Sequence, residues 1–152
     1  MNTKKLAIFA LLILCLAGLV GCQSSKQPGS MSHASVQIRG RSLAEIQQTT
    51  TAVFHGEGYA LGRSTSEEMV FDRPGTRRDA LKWGGWSGQG VTMRVKVSMS
   101  GTLEGGYLLG ATAYAVENSD DDFFRTENRT VLLDRRPYQK LLDEVASRLK
   151  KN

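Results

Sequence analysis

Val91-Thr92-Met93-Arg94-Val95-Lys96-Val97-Ser98-Met99 alternates without a break, apolar at every odd position and polar at every even one. A side-chain period of two belongs to a β-strand with one buried and one solvated face. The β-branched residues Val91, Thr92, Val95 and Val97 suit such a pleated surface. A sheet that is wet on one side is antiparallel far more often than parallel, so this stretch predicts an antiparallel sheet covered on one face.

Working outward, a Gly-rich connection at 101–106 leads into a second strand-like run at 107–116, and the two are expected to pair as a hairpin. Its small residues Gly110, Ala111, Ala113 and Ala115 leave room for a helix to approach. Upstream, 59–63 and 69–72 read as two more strands around the polar turn 64–68. Before them, Ser42 followed three residues on by Glu45 is a capping box that starts a helix with Leu43, Ile46, Val53 and Phe54 on one face. Thr49, Thr50 and Thr51 lower its intrinsic propensity, so it must dock to persist, and Gly56 is placed to stop it beside His55, a capping or packing group. Val36-Gln37-Ile38 opens the folded part as a short strand. At the other end Pro137 suits a first helical turn, and Tyr138, Leu141, Leu142, Val145 and Leu149 form a stripe, with Lys150 and Lys151 at the negative end of the dipole. The expected fold is α+β: an antiparallel sheet of about five strands with two helices packed on one face, one domain over residues 36–152.

The chain has 152 residues, a net charge of +5 and two cysteines. Lys4 and Lys5 precede an apolar run at 6–20, too short for a bilayer-spanning helix at about 20 residues and suited to a signal-peptide core. The run ends in Leu19-Val20-Gly21-Cys22, which resembles a bacterial lipobox. That resemblance implies removal of residues 1–21 and lipidation of Cys22, whose thiolate is the soft nucleophile that takes a diacylglyceryl group. Acyl burial then anchors the protein to a membrane without a span. In double-membraned bacteria Gln23, a residue other than Asp after the lipid site, implies the outer membrane facing the periplasm. Residues 22–35 are polar and small, the composition of a flexible tether with a reach of about 20 Å, and His33 is expected to be solvated there. The architecture of residues 36–152 is similar to the helix-grip domains of lipoprotein subunits in the outer-membrane β-barrel assembly machinery, which implies an envelope protein partner.

Loss of Lys4 and Lys5 leaves 18 basic against 15 acidic residues, a net +3 too mild to favour nucleic acid. Cys15 leaves with the leader and Cys22 is consumed, so no thiol remains for a disulfide, zinc or nucleophilic catalysis. With two histidines and no Gly-x-Ser-x-Gly turn, a serine hydrolase lacks its parts, and Ser87 in Trp86-Ser87-Gly88 is too generic to count. Consecutive Asp120, Asp121 and Asp122 do not converge on one ion and lack the alternating ligands of a calcium loop. No cofactor or metal is implied, and no enzyme.

The segment 73–90 is longer than a compact connection and carries Arg77, Arg78, Trp83 and Trp86. Part of it, 79–82, has the makings of a helical turn. Two readings stand. Guanidinium forks beside flat indoles make a binding surface for a protein, a glycan or an anionic headgroup; alternatively both indoles fold back over the open end of the sheet and the arginines solvate the loop. Arg94 and Lys96, on the wet face, are solvating charges that would extend any basic patch. The sequence therefore predicts a membrane-anchored envelope module working by noncovalent binding, as an accessory or structural part of an assembly, or alternatively as a sensor of a glycan or anionic ligand.

Overall fold

The computed structural model describes residues 33–83, 90–117, 126–130 and 135–151. The chain builds β1 (Ala34–Arg39), α1 (Leu43–Gly56), β2 (Ala60–Ser64), β3 (Glu68–Pro74), α2 (Arg77–Trp83), β4 (Thr92–Thr102), β5 (Gly106–Glu117), β6 (Thr126–Arg129) and α3 (Arg135–Lys151). All pairings are antiparallel, in the order β1-β5-β4-β3-β2, with β6 also on β5. The α+β sheet with α1 and α3 on one face is as expected; β6 and α2 raise the count to six strands and three helices among the described residues. No helix among them is long and apolar enough to cross a membrane.

The β4–β5 hairpin is the spine, pairing without a break from Thr92↔Val116 to Thr102↔Gly106. Its alternation is read out directly: Val91, Met93, Val95, Val97 and Met99 are buried, while Thr92, Arg94, Lys96 and Ser98 lie partly exposed on the other face. Ile46, Val53 and Phe54 of α1 share one core with Tyr138, Leu141, Leu142, Val145 and Leu149 of α3 and with Met69, Phe71, Val95, Val97, Leu109, Ala111 and Ala113 of the sheet. Phe54 stacks on Phe71 with ring centroids 4.4 Å apart. Burying each large side chain contributes about 2 kcal/mol.

The α1 capping box is present, with Ser42 accepting from the Glu45 N–H and the Glu45 carboxylate accepting from the Ser42 N–H at 2.9 Å. The threonines expected to weaken this helix find local partners, since Thr50 and Thr51 hydroxyls donate to the carbonyls of Ile46 and Gln47 at 2.7 and 2.9 Å. The stop is not Gly56, which is the last helical residue. It is Gly58, whose φ of +80° lets its N–H and that of Tyr59 close on the carbonyls of His55 and Phe54.

Two expectations at the N-terminal side are corrected. The strand starts at Ala34, so the folded part begins before residue 36, and His33 is 2% exposed rather than solvated. The cause is a gap in the sheet. Strands β1 and β6 lie end to end on the same edge of β5, β1 against residues 106–111 and β6 against 114–117, which leaves Ala113 facing neither. His33 fills that break: its Nδ1 accepts from the Ala113 N–H at 3.1 Å and its Nε2–H donates to the Thr130 carbonyl at 2.5 Å. Thr130 in turn donates its N–H to the Ala113 carbonyl at 3.0 Å. The imidazole thus replaces a missing ladder rung, which a solvated tether residue would never do. The outer edge of β1 is also closed, because the Gln139 side-chain amide of α3 bonds both the N–H and the carbonyl of Ser35.

Replacing His33 strands the Ala113 N–H and the Thr130 carbonyl in a buried place. His33→Ala is expected to lower unfolding stability by about 2 to 3 kcal/mol, read as a shift in urea midpoint at unchanged slope.

Candidate functional site

Helix α2 is set by its own capping box. Thr76 accepts from the Asp79 N–H at 3.2 Å, and Asp79 accepts from the Thr76 N–H and hydroxyl at 2.8 Å each. Seven residues at 100° per residue then sort into two faces. Asp79, Ala80 and Trp83 point inward and are half-buried; Arg77, Arg78, Leu81 and Lys82 point outward and are exposed. Trp83 packs on Val91, Met93 and Ala115, where the small side chain of Ala115 makes room for the indole. It covers the end of the sheet on the helix-bearing face. Arg73, at the end of β3, supports the turn from below, its guanidinium 5.1 Å from the Tyr59 ring centroid and 3.7 Å from Asp79.

The four residues singled out from the sequence are thus divided. Arg77 and Arg78 are exposed, and among the described residues neither has an ion-pair partner; Trp83 is turned away from them, and Trp86 lies outside the described residues, as do residues 1–32, Cys22 among them, and Asp120–Asp122. Leu81, 81% exposed, and Lys82 join the arginines on the outward face. Sequence reasoning missed these two, although Thr76-x-x-Asp79 was a readable helix start that would have aligned all four.

Arg94 and Lys96 do not extend this basic patch. Arg94 grips Asp72 with Nε and Nη2, each at 2.8 Å, and Nη1 reaches Glu127 at 2.6 Å; Lys96 binds the other Glu127 oxygen at 2.6 Å and lies 4.6 Å from the Tyr114 ring centroid. Two cations against two carboxylates leave no net charge to offer a ligand. The network spans β3 to β6 over the open face and ties the short β6 to the sheet. Burial pushes the Glu127 carboxyl up, but hydrogen bonds from Lys96 and Arg94 outweigh it and hold it below the ordinary glutamate value. The Asp72 bond first, then Glu127, raises Arg94 further above its already high value despite burial.

Two open clefts lie elsewhere among the described residues. One, of about 610 Å³, lies between the end of α1 and the face of α3 and mixes Arg73, Lys140 and Arg148 with Glu57 and Glu144. The other, of about 280 Å³, runs beside β1 and is lined by Ile38, Arg39, Arg41, Leu149 and Lys150. Arg148 is bonded to Glu144, Arg39 to Glu104 and Arg41 to Glu45, so most cations there are answered. No group of three or more metal-ligating side chains converges among the described residues. Both His33 ring nitrogens serve backbone groups, and His55 stands exposed at the end of α1.

No protein-family model matches the chain, and neither a curated protein nor a solved structure matches it.

The two faces of α2 are expected to separate on mutation. Trp83→Ala should cost about 1 to 3 kcal/mol in thermal or urea unfolding, whereas Arg77→Ala and Arg78→Ala should stay within about 0.5 kcal/mol. A glutamate with a lowered folded pKa stabilises above its unfolded value and loses that contribution as pH falls through the folded one. The wild type should therefore exceed Glu127→Gln by about 1 kcal/mol near neutrality, and the gap should close as the pH falls through the lowered folded value, in urea titrations at stepped pH.

Proposed function

We propose that this chain is a lipid-anchored envelope protein whose α+β domain works by noncovalent binding, as an accessory or structural module of an envelope assembly. The observation that carries the binding part is the outward face of α2, where Arg77 and Arg78 frame an exposed Leu81 without a carboxylate to answer them among the described residues. Charged groups left unanswered on a small ordered helix are available to an anionic surface, and a protruding leucine adds apolar contact.

The anchoring part rests on the lipobox-like Leu19-Val20-Gly21-Cys22 and its basic and apolar lead-in. Two or three acyl chains would anchor a domain of this size stably at a membrane surface. A second reading, a binder of a small anionic ligand, is favoured by the cleft with Arg73, Lys140 and Arg148, although Glu57 and Glu144 share its lining.

Intact-mass analysis of protein from its native membrane tests the anchor. A chain that begins at Cys22 and carries diacylglyceryl and acyl mass is the expected result, and Cys22→Ala should leave an uncut leader; a free Cys22 thiol in the native material sinks the reading.

A further inference from the structure

Three features of α2 belong together. Its outward arc runs Arg77, Leu81, Arg78, Lys82, at about 0°, 40°, 100° and 140° around the helix, so the leucine sits between two guanidiniums. Lys82, at the edge of this arc, holds its Nζ 4.9 Å from the Trp83 ring centroid, toward the packed side of the helix. A leucine flanked by two guanidiniums on one helix face combines charge and apolar contact in the way a broad anionic surface can use.

The second observation is where the chain enters the domain. His33 grips Ala113 of β5, and Trp83 packs on Ala115 of the same strand, two residues on. At about 3.4 Å per residue these points are about 7 Å apart. Strand β1 runs antiparallel to β5 and begins opposite Ala111, so the described chain enters the sheet on the side where β5 finishes, β4 starts and α2 packs. From Cys22 to His33 the chain spans at most about 40 Å even fully extended. A lipid on Cys22 therefore holds this end of the domain nearest the bilayer, and the cationic face with its leucine is on that end. The β4–β5 turn, with its own fully exposed Leu103 and with Glu104, is at the opposite end.

We propose that the outward face of α2 is a second membrane contact, seating the domain on anionic phospholipid through Arg77 and Arg78 while Leu81 enters the headgroup layer. The inference rests on the lipid-anchor reading and adds an orientation to it. Acylation alone fixes the distance to the membrane; the α2 face fixes which end of the sheet lies against it and turns the polar open face and the β4–β5 turn toward the envelope space.

The acylated mature protein has no free thiol, so a single introduced cysteine can carry an environment-sensitive dye. Leu81→Cys and Leu103→Cys variants, each reconstituted through their lipid in nanodiscs, are compared on phosphatidylcholine alone and on phosphatidylcholine mixed with phosphatidylglycerol. The dye at position 81 should shift to the blue only on the mixed discs, lose the shift in high salt, and lose it when Arg77→Glu and Arg78→Glu are added; position 103 should not respond. Neutralising both arginines to alanine should weaken the surface-bound state roughly 30-fold. A shift at 103 equal to that at 81 overturns the proposal. So does no shift at 81 on anionic discs, the result expected if Asp120–Asp122 or a protein partner occupies the arginines instead. Mass spectrometry of the same sample reads the anchor separately: acylated protein without a shift defeats this inference alone, whereas unmodified Cys22 defeats the reading beneath it.

Discussion

The register between β4 and β5 is the constraint on which the rest of the molecule depends. Eleven consecutive pairs fix it, and with a period of two a slip by one residue would turn Val95 and Val97 to solvent and Arg94 and Lys96 into the core. Burying those two cations against Phe54 and Leu142 would cost far more than any strand pairing returns, so the alternation excludes the alternative registers. Everything else is placed by reference to this hairpin. The helices meet its apolar face, the ion network spans its polar one, and α2 is held at its open end by Trp83 on Met93 and Ala115.

The β5 edge shows how an incomplete sheet is finished by side chains. Neither β1 nor β6 is long enough to cover β5, and each is weak alone: β6 has four residues and no large apolar side chain. Strand β1 is held by Ala34 and Ile38 in the core and by Gln139, while β6 is held by Glu127 under Arg94 and Lys96. His33 joins the two where the backbone cannot. A close approach supports the same edge at its other end, since a Cβ on Gly106 would stand 2.5 Å from the Ile38 carbonyl oxygen.

What the sequence discloses is what is local. The β4 alternation, the Ser42–Glu45 box and the Tyr138-to-Leu149 stripe each lie within one element and signal it through spacing alone. Strand β6 was illegible because Thr126-Glu127-Asn128-Arg129 has no strand-like pattern; it is a strand because Arg94 and Lys96, some 30 residues away, supply its counter-charges. His33 was misread for the same reason, since its polar surroundings describe a tether and only the Ala113 gap gives it a buried role. At the candidate site Arg77 and Arg78 were legible as exposed charges, but their separation from Trp83 required the helix phase, and that phase was written in Thr76 and Asp79.

Exposure alone carries no functional meaning on a small domain, because isolated apolar side chains on the surface are ordinary. Leu103 is more exposed than Leu81 and sits in a turn beside Glu104 with nothing convergent about it. Leu81 differs in its company. Arg77 and Arg78 share its helix face, and Trp83, on the other side of the helix, fixes that face by packing, so the arrangement is held rather than sampled. Folding gains little from it: the two arginines answer no carboxylate among the described residues, while Arg94, on β4, is answered by two. The cations on the sheet are thus neutralised where they tie strands together, whereas Arg77 and Arg78 have no carboxylate among the described residues and contribute little to holding the fold.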